Sequence, residues 1–208
     1  NARLSLTSLD LKIFGIDRVV LSLKNKVWIK PQGNSLTIKK NRDINFDGLI
    51  TAGKTQYYGS DFSFIYNDFK LNMAHCDSMF IWADYLESKR KGSLVRSLSN
   101  IRSLEGYIEI DEPDNKSGVD TSHHEFPILH SNTPTYVYYD DPSIQKGIYN
   151  REDFMFIIEP FEMDSLDEFA NDGLNLKGLF KSGGIFPDFT ESLMIMPDYS
   201  LGFIKNTP

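Results

Sequence analysis

The sequence predicts an all-β chain, and three observations carry that expectation. Apolar and polar residues alternate with a period of two along most of the length. The breaks between alternating runs are short and rich in Gly, Asn and Asp. Phe (15) and Tyr (10) are abundant, and aromatic side chains favour half-buried pleated surfaces. The expected architecture is a set of repeated β-sheet units forming an elongated sandwich or solenoid-like stack, with at most one or two short helices.

The elements follow in order. Leu4 and Leu6, then Leu9, Leu11 and Ile13, place apolar groups on one face with a break between them. Val19, Leu21 and Leu23 continue the alternation, and Val27 and Ile29 extend it. Pro31-Gln32-Gly33-Asn34 is turn chemistry, with Leu36 and Ile38 resuming the strand pattern beyond it. Further strands are expected over 43–51, 62–66, 68–73, 78–83, 103–110, 134–139, 152–158, 173–181, 192–196 and 199–204, with Tyr57-Tyr58 in a turn. Helical signal is confined to two places. Residues 164–171 allow about two turns, with Asp164 or Ser165 as N-cap and Gly173 past the end. Residues 84–91 allow one more.

Charge divides the 208 residues unevenly. Residues 1–100 carry 15 Lys/Arg against 9 Asp/Glu, whereas residues 101–208 carry 7 against 20, for an overall net charge of −7. Lys24, Lys26, Lys30, Lys39 and Lys40 alternate with apolar residues and read as the solvated face of a sheet. The tightest basic cluster, Lys89-Arg90-Lys91, lacks the interleaved aromatics of a single-strand stacking platform, so nucleic acid is not an expected partner. No run of 18 apolar residues is present, and no membrane-spanning helix is expected. Cys76 is the single cysteine, which excludes an internal disulfide and a cysteine-rich zinc site. The expected organisation is one continuous domain cut from a longer protein. Residues 1–110 form a basic β-rich half, 111–133 a polar loop, and 134–208 an acidic β-rich half. A loop of that length is usually functional or mobile.

An internal repeat is expected at an offset of 130 residues, relating 44–73 to 174–203. Identities fall at Asn45/Asn175, Gly48/Gly178, Leu49/Leu179, Gly53/Gly183, Ile65/Ile195, Asp68/Asp198 and Leu71/Leu201. Apolar positions stay apolar, as at Ile44/Leu174, Phe46/Leu176 and Ile50/Phe180. Two glycines at matching spacing suggest one bent-strand design used twice.

Chemical motifs are sparse. Asp43-Ile44-Asn45-Phe46-Asp47-Gly48 matches the opening of an EF-hand loop, but Lys54 occupies the twelfth position, where calcium needs a bidentate acid. Gly173 and Lys177 replace Asp43 and Asp47 in the second copy, so the segment reads as a strand. His123, His124, Glu125 and His130 are the densest group of metal-ligand types, yet adjacent strand residues point to opposite faces, and neither a metal nor a cofactor is expected. His75-Cys76-Asp77 diverges for the same reason, leaving Cys76 in or near the core. Phosphate-binding glycine loops, a nucleophile elbow and a His-Glu-x-x-His helix are absent from the sequence. Tyr136, Tyr138 and Tyr139, the Tyr57-Tyr58 pair, and Trp28 and Trp82 are the aromatic candidates for stacking on a sugar or anchoring a partner. A ligand site, if built, is expected where Tyr136 and Tyr138 meet His123, His124 and His130.

The stretch Leu176-Lys177-Gly178-Leu179-Phe180-Lys181-Ser182-Gly183-Gly184-Ile185-Phe186-Pro187 resembles part of the very large uncharacterised β-repeat proteins of Gram-negative envelopes. That resemblance implies an elongated β scaffold in the periplasm or associated with the outer membrane. The expected role is structural or interactive, with neighbouring repeats of the parent chain, another envelope protein or a glycan as partner. A carbohydrate-binding module using Tyr and Trp is the alternative, and a glycan-active enzyme the third reading.

Overall fold

Among the described residues seventeen strands, every pairing antiparallel, join into one continuous sheet that does not close into a barrel. The computed structural model describes residues 1–86, 92–142 and 144–205. The first five strands are β1 (Ala2–Leu4), β2 (Leu11–Phe14), β3 (Val19–Ser22), β4 (Val27–Pro31) and β5 (Ser35–Ile38). The central strands are β6 (Ile44–Ala52), β7 (Thr55–Ile65), β8 (Lys70–Asp84), β9 (Leu94–Arg96) and β10 (Ile101–Glu109). The remainder are β11 (Ile128–Ser131), β12 (Thr135–Tyr138), β13 (Phe154–Ile158), β14 (Glu162–Met163), β15 (Leu176–Ser182), β16 (Phe189–Ile195) and β17 (Leu201–Gly202).

The main ladder runs β1–β2–β5–β6–β7–β8–β10–β12–β13–β15–β16–β17. Strand β4 shares one edge of β6 with β5, and β11 shares one edge of β10 with β12. Strands β3, β9 and β14 branch from β4, β8 and β11.

Two strands are longer than their alternation predicts, because the pleat changes phase inside them. Inward residues of β8 step by three at Met73, Cys76 and Met79, with ordinary alternation on either side. Strand β7 makes the matching adjustment where Asp61 sits at φ +54°, and β10 does so at Ser103, φ +58°. A bulge leaves both strands paired while reversing which residues face the core. These irregularities fall along one register row, Gly48–Gly59–Cys76–Leu104, which crosses the sheet as a seam. Tyr57 and Tyr58 lie within β7 and not in a turn; Tyr57 is fully buried and Tyr58 points outward.

One apolar core runs under the whole sheet, from Val27 and Ile29 through Tyr57, Met79 and Ile101 to Phe156 and Phe180. Residues 164–171 cross to the β6–β7 turn and do not form the expected helix. Ser165 takes φ +48°, and Leu166 is drawn into the core. Their backbone N–H groups donate to Glu125 and Pro127, while the Leu166 carbonyl accepts from Lys54 N at 2.7 Å. Tertiary bonds here replace those a helix would make. Gly53 is essential to this crossing: its φ is +55°, and a Cβ would lie 2.4 Å from the Leu166–Asp167 backbone. Among the described residues helical geometry is limited to single 3-10 turns at Gln32–Asn34, Gln145–Gly147 and Asn171–Gly173. The other expected turn, 84–91, begins at the last residue of β8, and residues 87–91 lie outside the described residues, as does the Lys89-Arg90-Lys91 cluster.

The polar stretch 111–133 contains β11 and is pinned at its start by Asp111. That buried carboxylate accepts from Asn25 Nδ2 (2.9 Å), Lys24 Nζ (3.2 Å), Glu112 N (2.9 Å) and Asn115 Nδ2 (3.1 Å). Burial alone would raise the Asp111 carboxyl, but these donors outweigh it and hold the group below its ordinary value.

The two stretches related at offset 130 bury the same positions: Ile44 and Leu174, Phe46 and Leu176, Ile50 and Phe180. Gly53 and Gly183 both have positive φ, as do Phe69 and Tyr199. The middle strands differ in phase, since β7 buries Phe62 and Phe64 whereas β16 buries Leu193.

Candidate functional site

Alternation in the strands gives the sheet an outer face opposite the core, and the seam divides that face in two. The upper part carries Trp28 on β4, Leu49 on β6, Tyr58 on β7, and Phe80 and Trp82 on β8. Across the ladder, Tyr58 pairs with Ser78, Ser78 with Arg102, Arg102 with Tyr136, Tyr136 with Ile157, and Ile157 with Leu179. Directly opposed residues share a face, so in this row Tyr58, Tyr136, Ile157 and Leu179 flank the small Ser78 and the charged Arg102. Tyr58 and Phe80 meet edge to face at 5.8 Å, and the Arg96 guanidinium lies 4.5 Å over Phe80. Arg18 lies 5.8 Å over Trp28.

Tyr136 and Tyr138, two residues apart on β12, stack with centroids 5.8 Å apart and planes within 5°. Arg151 sits 4.6 Å over Tyr138 and donates to Asp140 at 2.8 Å. Burial, with Tyr136 adding, raises the Tyr138 phenol above its ordinary value. A cleft of about 830 Å³ opens beside Tyr138, walled by Asn100, Arg102, Asp140 and Asp198. The Asp198 carboxylate is already used: it accepts from the Ser200 hydroxyl (2.7 Å) and N–H (3.0 Å).

The histidines occupy the lower part of the face and the loop beside it. His130 on β11 stacks on Tyr107 at 4.5 Å, with Nδ1 3.0 Å from Glu162 and Nε2 3.6 Å from Glu109. Lys70 completes the group, 2.7 Å from Glu109 and 5.0 Å over Tyr107. His123 lies in the loop between Asp120 (3.7 Å) and Glu125 (3.5 Å). His124 accepts a hydrogen bond on its backbone carbonyl from Ser165, and its side chain lines a shallow cleft with Glu162. The structure therefore brings Tyr136 to Tyr138 and His124 and His130 to Glu162. It sets the tyrosines apart from His130: their register partners on β10, Arg102 and Tyr107, are separated by roughly 15 Å of strand.

Among the described residues no group of three His, Cys, Asp or Glu side chains is placed to hold a metal ion. The EF-hand-like acids serve the strands instead: Asp43 Oδ1 accepts from Tyr66 N and Asp47 Oδ1 from Asp61 N, both at 2.9 Å. Cys76 is buried on the seam. The sequence pointed to Tyr58, Trp82, Tyr136 and Tyr138 separately. Their grouping with Arg96 and Arg102 was not readable, because it depends on which strands pair and where the bulges fall. No protein-family model matches this chain, and comparison with curated proteins and with solved structures finds no match.

Proposed function

We propose that this chain is a structural or interaction domain of a large cell-envelope protein, in the periplasm or at the outer membrane. Its partners are neighbouring β units of the parent chain. The observation that carries this reading is the sheet edge at β1. That strand pairs only with β2 among the described residues, which leaves one side of its backbone without a sheet partner. Leu4 (53% exposed) and Leu6 (84%) stand on or beside it, and Leu23 (85%) follows the outer edge of β3. An open edge is a template for strand addition; β1 is short and carries Arg3 at its centre, with the exposed apolar groups at its end and beyond. Matching turns in 44–73 and 174–203 support a unit design that stacks on copies of itself.

Amide exchange tests the reading. In a longer stretch of the parent chain, the backbone amides of β1 are expected to exchange about 100-fold more slowly than in these 208 residues alone. Equal rates in both would overturn it. The parallel Tyr136 and Tyr138 rings favour carbohydrate binding as a second reading. Saturation-transfer contact from a glycan to these two rings supports that reading, and silence across a broad glycan panel removes it.

A further inference from the structure

We propose that the upper part of the outer sheet face docks onto a bilayer surface containing anionic phospholipid. This goes beyond the scaffold reading and does not depend on it, since it concerns the face of the sheet and not its edge.

Three properties of this face converge on that ligand. The first is apolar character. From β4 to β15 the face spans eight strands, roughly 34 Å at the usual strand spacing. Half-buried Leu49, Ile157, Leu179 and Met155 share it with the aromatics. Aliphatic side chains contribute nothing to sugar stacking, but they belong in the boundary between headgroups and acyl chains.

The second property is the kind of aromatic. Trp28, Tyr58 and Tyr136 have an apolar body and a polar tip, which suits the headgroup level of a membrane, whereas the Trp82 indole Nε1 is buried. Both tryptophans of the chain lie on this one face.

The third is charge. The chain as a whole is acidic, at −7, yet outward strand positions here carry Lys30, Arg96, Arg102 and Lys181 against Asp77 and Asp84. Asp84 stands at the rim and is engaged by Lys54 at 2.9 Å, and Lys30 is itself paired with Asp17 at 3.3 Å. Neither Arg96 nor Arg102 has a carboxylate within ion-pair distance among the described residues. Arg96 and Arg102 oppose Trp82 and Ser78 along the same edge of β8, roughly 13 Å apart, so they meet separate headgroups. Each basic residue near an anionic leaflet adds several-fold to binding.

The test uses tryptophan fluorescence with vesicles of phosphatidylcholine, with and without phosphatidylglycerol, carrying brominated acyl chains. Quenching is expected only with the mixed vesicles, and it should vanish in about 1 M salt, where the screening length falls to about 3 Å. The double variant Lys30→Glu/Arg96→Glu is expected to weaken vesicle binding about 100-fold. Both side chains are exposed and Lys30 gives up only its surface pair with Asp17, so the unfolding equilibrium constant from urea denaturation should rise by no more than about fivefold. Asp47→Lys, below the seam, should bind at least as tightly as the parent. Three outcomes would each overturn the proposal: no binding to mixed vesicles, sedimentation with vesicles without tryptophan quenching, or binding to heparin with none to vesicles. The amide exchange of β1 is read independently, so this proposal and the scaffold reading fail separately.

Discussion

The two parts of the outer face use charge in opposite ways. Below the seam charges are consumed by the fold: Lys70 pairs with Glu109, His130 stands between Glu109 and Glu162, and Asp47 holds the Asp61 backbone. Above it Arg96 and Arg102 face outward over aromatic rings or beside them, and no carboxylate pairs with either among the described residues. One sheet with one core thus presents a lower part whose charged groups meet one another and an upper part in which Lys30 and Arg151 are paired but Arg96 and Arg102 are not. The difference teaches that surface charge of equal density marks structure in one place and availability in another, and partners tell the two apart.

Substitution breaks this comparison most forcefully in the lower part. Gly106→Ala would place a Cβ 2.0 Å from the His130 carbonyl, in the ladder that joins β10 to β11. A loss of about 3 kcal/mol in urea denaturation is expected, because backbone atoms on both sides must move. Asp111→Ala comes next, at about 3 kcal/mol, since Lys24 and Asn25 lose the acceptor they were buried against. The same carboxyl sets a pH signature. Its folded pKa is depressed, so its contribution is present above the unfolded pKa and is lost as pH falls through the folded one. Denaturation midpoints of the parent should therefore drop on acidification over that interval, and those of Asp111→Asn should drop less.

Glu109→Gln is a smaller change, expected to cost about 1 kcal/mol. It replaces with a neutral amide the carboxylate whose hydrogen bond chiefly holds the Lys70 ammonium above its ordinary value, which the Lys70 titration in NMR would register as a fall. At the small end, Arg96→Ser and Lys30→Ser above the seam should leave stability within about 0.5 kcal/mol of the parent. A large loss on either would erase the distinction between the two parts.

The all-β class was legible because alternation survives locally, as in Val27 and Ile29 or Leu36 and Ile38. Strand ends were less so. Segments 62–66, 68–73 and 78–83 read as separate strands because the three-residue steps at Gly59, Cys76 and Ser103 look like breaks in a pattern of period two. Residues 164–171 carry good capping chemistry for a helix, but the pull of Leu166 into the core overrode it. Of the candidate side chains, the pairing of Tyr136 with Tyr138 follows from their spacing of two. The placement of His130 between two carboxylates does not, since Glu109 and Glu162 reach it across two different strand pairings.

Cys76 gives the seam a chemical clock. The lone thiol lies in the row that divides the face, opposite Gly59 on one neighbour and Leu104 on the other. Burial pushes it up to about 12, so in the closed sheet it is neither exposed nor ionised at neutral pH. Its rate of modification by a disulfide reagent then counts openings of that one row. Set beside the global unfolding rate, it measures whether the bend yields locally or only when the whole molecule does.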